Sequence, residues 1–149
     1  MQLGPWLLES DVESTRAAYG SSNGIDPHCC NACATFALAL ESGVLPPSLL
    51  AALHALGIDP NKPTEAWGAP DGGFIQIWWP FIGTLRPREN SYGDESIVLA
   101  EGQSCRVTHH YPHPSWSVRD GQELPALELT WTSDDLRELE SRAWPPSST

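Results

Sequence analysis

Residues 28–57 read HCCNACATFALALESGVLPPSLLAALHALG, and this stretch decides the N-terminal half of the fold. Its first half carries apolar residues at the i, i+3, i+4, i+7 spacing of one helix face: Cys33, Phe36, Ala37 and Leu40. A second apolar stripe follows Pro46 and Pro47, which a helix tolerates in its first turn, and it consists of Leu49, Leu50, Leu53 and Leu56. Gly43 and Gly57 stand where helices usually end. The stretch therefore predicts two short helices joined by a tight turn.

The residues that follow alternate in the manner of a β-strand. From Phe74 to Phe81, one face carries Ile75, Ile77, Trp79 and Phe81, and the other carries Phe74, Gln76 and Trp78. Proline has no N–H to donate to a sheet, so we expect Pro80 at an edge, a bulge or the end of this strand. Farther along the chain, Leu127, Leu129 and Trp131 alternate with polar residues and predict a half-buried strand.

A hairpin is predicted between these two strands, around Gly102. With Gly102 at the first central position of a type II′ turn, Ala100 opposes Cys105 and Val98 opposes Val107. Opposed residues of antiparallel strands point the same way, so we expect both valines on the buried face.

Two helices are expected near the ends of the chain, and one helical turn near Glu65. The first begins at Ser10, with Glu13 three residues later as in a capping box, and a loop follows it. The last begins at Ser133 as N-cap, and the acidic residues after it favour the positive end of a helix.

These elements predict one compact domain over residues 1–149, since domains usually run to about 100–200 residues. Its parts are an N-terminal helix and loop (1–27), a helical pair (28–57), a sheet (74–132) and a C-terminal helix (133–144). Helices segregated from hairpin-linked strands indicate the α+β class. We expect N-terminal short helices packed on a small, mainly antiparallel sheet, with a C-terminal helix.

The composition limits the kinds of partner. The formal charge is −11, which disfavours binding to nucleic acid or to an anionic lipid surface. No apolar run approaches the roughly 18 residues that a membrane span needs. A signal peptide begins with basic residues, whereas the first ten residues of this chain contain none. We therefore expect a cytoplasmic protein. Seven Arg against one Lys, with many Ala, suggest a bacterial origin.

Three of the four cysteines crowd into Cys29, Cys30 and Cys33. In a reducing compartment such crowding indicates metal or thiol chemistry more than a disulfide framework. Cys30 and Cys33 have the C-x2-C spacing, and Cys29 lies one helical turn from Cys33 as an alternative ligand. Zinc takes four such ligands in a tetrahedral shell.

Histidines are the expected remaining ligands. We predict a site of Cys30 and Cys33 with one or two of His109, His110 and His113. The further candidates are Cys105, His28 and His54. Cys105 and His109 share a strand face but lie about 13 Å apart, too far to hold one ion together.

Two other interpretations of the cysteines stay open. Free cysteine is among the most buried residue types, so all four can be simple core thiols. The second interpretation is thiol reactivity. The cysteines would form a redox pair at a helix start, or one of them would act as a nucleophile beside His109. A thioredoxin-like motif would normally follow a buried strand, whereas residues 20–27 resemble a loop.

The seven tryptophans suggest an aromatic surface. Phe74 and Trp78 share a strand face, and Trp67 lies nearby in the chain, so we predict a partner surface of Phe74, Trp78 and Trp67. Packing of helices over both faces of the sheet would explain the same residues without a partner.

These patterns favour a small acidic binding protein of accessory or immunity type, stabilised by zinc and directed at a basic protein partner. The alternative is a metal- or thiol-dependent enzyme that uses the cysteines with His109, His110 and His113. A thiol redox sensor is the third hypothesis.

Overall fold

The computed structural model describes residues 1–68, 74–86, 96–109, 118–134 and 136–143. In chain order its elements are β1 (Gln2–Leu3), β2 (Trp6–Ser10), α1 (Val12–Gly20), α2 (Asn31–Glu41), α3 (Pro47–Ala55), β3 (Glu65–Gly68), β4 (Ile75–Arg86), β5 (Ile97–Ala100), β6 (Gln103–His109), β7 (Val118–Arg119), β8 (Gln122–Glu123), β9 (Ala126–Ser133) and α4 (Arg137–Ala143). The predicted α+β class is confirmed, and so are the two helices within residues 28–57. No helix in the described ranges is long and apolar enough to cross a membrane.

The main sheet is built around β4. Its strand order is β1-β2-β4-β9-β6-β5, with β3 also paired to β4, and every pairing in it is antiparallel. One edge of β4 pairs with β9 from Ile75 to Ile82. Its other edge pairs first with β3 and then with β2. Strand β9 therefore lies between β4 and the β5–β6 hairpin.

One face of this sheet is the core. The alternation predicted for β4 and β9 is confirmed, because each of its inward side chains is at most 2% exposed: Ile75, Ile77, Trp79, Phe81, Leu127, Leu129 and Trp131. Cys105 and Val107 of β6 continue the same buried face. On the other face Thr130 is also buried, which the half-buried pattern did not predict.

Helix α1 fills a gap along the edge of β4. Between the residues paired to β3 and those paired to β2, the described residues give β4 no strand neighbour on this edge. There the Tyr19 hydroxyl donates to the Pro80 carbonyl at 2.8 Å, and the Ile82 N–H donates to the Thr15 hydroxyl at 3.0 Å. The N and O of one residue point to the same side of such a strand, so the missing donor of Pro80 falls in this gap. A proline is thereby accommodated inside a long strand.

The expected start of α1 at Ser10 is wrong, because Ser10 is the last residue of β2 and pairs with Gly83. Asp11 is the N-cap instead, and its Oδ1 accepts from the Ser14 N–H at 2.9 Å. Residues 1–27 also contain the strands β1 and β2, which the sequence reasoning missed. In the structure Trp6 and Leu8 of β2 are buried and Leu7 is exposed, an alternation that the unbroken apolar run of residues 6–8 does not indicate.

Two further expectations near helices are wrong. The segment from Glu65 forms strand β3, paired with β4, instead of a helical turn. Ser133 ends β9, where it pairs with Ile75 and Gln103, so it cannot cap the last helix. Helix α4 begins at Arg137, four residues later than expected.

The predicted register of the β5–β6 hairpin is wrong. Gly102 has φ +68° and lies in a two-residue loop that pairs Ala100 with Gln103. A bulge follows, and Val98 pairs with Ser104. The shift turns Val98 to solvent, where it is 77% exposed, while Val107 stays in the core.

The two edges of the sheet approach each other. Gly4, in the turn between β1 and β2, has φ +55° and leaves no room for a Cβ against the Ile97 side chain of β5. Leu3, Ile97 and Leu99 all pack against the core. The sheet therefore curves over its own inner face at this end, and the helices cover the rest of that face.

The gap beside β4 provides a test of buried hydrogen bonding. Thr15→Val removes the acceptor of the buried Ile82 N–H, and an unsatisfied buried donor costs about 1–3 kcal/mol. We therefore expect urea denaturation to show a free energy of unfolding lower by about that amount.

Thr130→Val is the matched control for this substitution. Within the described residues, the buried Thr130 hydroxyl has no hydrogen-bond partner, so its removal should leave stability unchanged or raise it. Equal losses in the two variants would contradict the role assigned to Thr15.

Candidate metal centre

Three thiols meet at the start of α2. The sulfurs of Cys29, Cys30 and Cys33 all lie within 4.8 Å of one another, and the Cys30 and Cys33 sulfurs are 3.2 Å apart. In the described part of the chain this is the one such group of three or more potential metal ligands. All four cysteines of the chain are free thiols.

Local backbone geometry brings these thiols together. A turn in which the Cys29 N–H donates to the Asp26 carbonyl at 3.0 Å leads into the helix. Cys30 is the N-cap residue in extended conformation, and its sulfur accepts from the Cys33 N–H at 3.4 Å. Cysteine thus takes the role that Ser or Asp usually has at an N-cap. Two thiols before the helix and one in its first turn therefore converge.

The electrostatics of Cys30 and Cys33 differ. Burial raises the pKa of Cys30, but hydrogen bonds from the Cys33 backbone and thiol, the Ala32 backbone and the Cys29 thiol outweigh burial, so its pKa is lowered. Burial, followed by the interaction with Cys30 and Cys29, raises the pKa of Cys33 to about 12. Negative charge therefore collects first on Cys30, which is partly exposed, while Cys33 is buried.

The helix that carries the cluster is fixed to the sheet and to α4. The Phe36 ring packs edge-on against Trp79 of β4, with ring centroids 5.6 Å apart. The Asn31 side chain donates to Glu140 of α4 at 2.7 Å. These contacts hold the first turn of α2 in place without involving the thiols.

The donor set fits a thiophilic metal ion. With Zn–S bonds of about 2.3 Å and tetrahedral angles, ligand sulfurs lie about 3.8 Å apart. The Cys30–Cys33 sulfur separation of 3.2 Å is shorter than that value, and no sulfur pair of the cluster is more than 4.8 Å apart, so small side-chain rotations suffice. Cys29, Cys30 and Cys33 are the residues that would hold the ion, and the first of these was expected only as an alternative.

The structure does not bring His109 to the cysteines. His109 pairs with Leu127, which in turn pairs with Phe81 of β4. Helix α2 packs beside β3, which pairs with β4 from Ile75 to Trp78. Phe81 lies six positions along the extended strand from Ile75, which corresponds to about 20 Å. His109 is therefore at the far end of the sheet from the start of α2. The predicted ligands His110 and His113 lie outside the described residues.

The other candidate ligands are not members of the cluster, although His28 directly precedes Cys29 in the chain. Cys105 is buried on the inner face of the sheet, paired with Trp131, and burial raises its pKa to about 11. His28 and His54 are exposed.

The expected aromatic surface is partly assembled. Trp67 of β3 is 48% exposed and makes an edge contact with Phe74, with ring centroids 5.7 Å apart. Trp78 is half-buried and pairs with Glu65. Trp67 pairs with Gln76, so both tryptophans lie on the outer face of the sheet.

A cleft along α2 was not predicted. It has a volume of about 460 Å³, and Cys33, Phe36, Ala37 and Leu40 of the helix form one of its walls. Ile25 and Pro27 also line it, and nothing in their sequence context indicates a binding site. The only sequence signal is the apolar stripe of α2, which predicts a helix and not a cleft.

Comparison with protein-family models, with curated proteins and with solved structures finds no match to this chain. The chemistry of the cysteine cluster is therefore inferred from its own geometry.

The unequal environments of the thiols predict an order of alkylation. In reduced, metal-free protein near pH 7, iodoacetamide should modify Cys30 well before Cys33, since the pKa of Cys30 is lowered, that of Cys33 is raised, and Cys30 is more accessible. Peptide mass spectrometry over time measures the order.

Cys105 is the internal control, because it is buried and its raised pKa of about 11 keeps it protonated. It should react only after the protein unfolds. Faster modification of Cys33 than of Cys30 in folded protein would refute the assigned electrostatics.

Proposed function

We propose that the protein binds a thiophilic metal ion, zinc in the first place, through Cys29, Cys30 and Cys33. The observation that carries this proposal is the convergence of three sulfurs within 4.8 Å at the start of a helix. The partial positive charge of a helix N-terminus favours thiolates, which are the form that binds metal. Soft thiolate ligands select zinc and copper(I) over magnesium or calcium.

The three thiols leave one tetrahedral position for another ligand. Structural zinc sites are closed by four protein ligands, whereas sites with three protein ligands keep the fourth position for water or a bound molecule. A bound zinc ion would supply Lewis-acid character at that position. The same site therefore also suits the metal-dependent enzyme that we held as the alternative function.

A binding role with a basic protein partner remains our proposal for the whole chain. Its support is the formal charge of −11 together with the exposed Trp67 and its neighbour Phe74. Aromatic side chains are enriched where interfaces gain most of their energy, and complementary charge accelerates association.

A thiol redox role is the second candidate, and the 3.2 Å separation of the Cys30 and Cys33 sulfurs favours it. The Cys30 thiolate would attack a small-molecule disulfide and release one thiolate. The Cys33 thiol would then lose its proton, attack the Cys30 sulfur and release the second thiolate. Two electrons pass from the pair to the oxidant, and the new disulfide removes two metal ligands.

Metal analysis of protein purified without added metal or chelator tests the main proposal. We expect about one zinc ion per chain, and Cys30→Ser or Cys33→Ser should each abolish its retention, because two sulfur ligands hold zinc weakly. Elemental mass spectrometry after gel filtration gives the stoichiometry.

Cys105→Ser is the control, since this thiol lies in the core and should not affect the metal. Loss of zinc from that variant alone, or retention in both cluster variants, would show that the ligands are different. Absence of metal with a reversible loss of two thiols on mild oxidation would favour the redox candidate.

The partner proposal predicts a dependence on salt and on one side chain. Proteins retained on the immobilised chain at low salt should be basic and should elute as salt rises, because screening shortens the reach of charges to about 8 Å at physiological ionic strength. Trp67→Ala, at an exposed position, should reduce the retention of the same proteins.

Leu7→Ala is the matched control, because Leu7 is similarly exposed at 40% but lies on β2. If both variants retain the partners equally, Trp67 is not part of the partner surface.

A further inference from the structure

Helix α2 uses only part of its apolar stripe in the core. Cys33 and Phe36 are buried, and Phe36 packs on Trp79. Ala37 and Leu40, one helical turn farther on, are only partly buried and line the cleft of about 460 Å³. The apolar side chains of Ile25 and Pro27 also line it. An apolar concave surface is thus left open beside a well-packed core.

The size of this cleft suits a small molecule. Ligand sites usually have volumes of about 300–1,000 Å³, mostly apolar walls and a few polar groups. Along α2 the cleft extends from Cys33 to Glu41, eight residues, which correspond to about 12 Å of helix. That length accommodates one aromatic ring with a short alkyl chain.

One end of the cleft carries a carboxylate. Glu41 lines one end, is exposed, and is the last residue of α2. The C-terminal end of a helix carries partial negative charge, so the carboxylate and the helix terminus both favour a cation. The formal charge of −11 on the chain further disfavours an anionic ligand.

We propose that this cleft binds a small amphipathic cation, such as an aryl-alkyl amine. Its apolar body contacts Phe36, Ala37 and Leu40, and its ammonium group lies beside Glu41. The far end of the apolar body then approaches Cys33. This binding requires no metal ion, so it stands independently of the proposed zinc site.

A matched pair of probes tests the proposal: 4-phenylbutylamine and 4-phenylbutyrate, which share a carbon skeleton and differ in charge. Each is titrated into reduced, zinc-free protein and followed by amide NMR and calorimetry. We expect the amine to bind at least about fivefold more tightly than the carboxylate, from one surface ion pair and one helix terminus. The amide shifts should concentrate on residues 33–41.

Two cleft variants and one control complete the experiment. Glu41→Gln, at an exposed position, should reduce the preference for the amine to less than about twofold. Ala37→Trp should fill the cleft and abolish binding of both probes. Glu138→Gln removes one exposed carboxylate from α4 and should leave the preference unchanged.

Several results would overturn the proposal. Equal affinities for the two probes, shifts centred away from α2, or an unchanged preference in Glu41→Gln would each do so. Failure of both probes to bind would overturn it as well. If Ala37→Trp does not fold, the comparison of Glu41→Gln with Glu138→Gln still decides.

Discussion

The packing of Phe36 on Trp79 is the contact on which the candidate site depends. Trp79 lies on the inner face of β4, is fully buried, and donates from its ring nitrogen to the Pro60 carbonyl at 3.2 Å. Phe36 meets it edge-on from α2. Together with the hydrogen bond from Asn31 to Glu140, this pair fixes the height and rotation of the helix over the sheet. The rotation decides which side chains of α2 enter the core and which remain beside it.

Helix α2 then organises three chemical environments along 11 residues. Its N-terminus collects the thiols, and hydrogen bonds there lower the pKa of Cys30 while burial raises the pKa of Cys33. Its middle divides one apolar stripe between the core and a cleft. Its C-terminus ends in Glu41, where the helix itself favours a cation. The thiophilic metal and the amphipathic cation that we propose lie at sites set by the direction of one helix dipole.

The sequence predicts those parts of the molecule that depend on local periodicity. The alternation in β4 and β9, the two helices within residues 28–57, and the clustering of Cys29 with Cys33 all arise within a few residues, and the structure contains them. Apart from the register of the local β5–β6 hairpin, what failed depends on distant pairing. Ser133 has the composition of an N-cap, but pairing with Ile75 and Gln103 draws it into β9. The distance of His109 from the thiols likewise follows from strand register, which no local pattern encodes.

The central claim is that three sulfurs from one helix start form the inner shell of a metal site. X-ray absorption at the zinc edge of the loaded protein tests it most directly, because sulfur and lighter ligands differ in bond length and scattering. We expect three sulfur ligands at about 2.3 Å and one oxygen or nitrogen ligand at about 2.0–2.2 Å. A shell of four sulfurs, which would require Cys105, or a shell of nitrogen and oxygen alone would contradict the account.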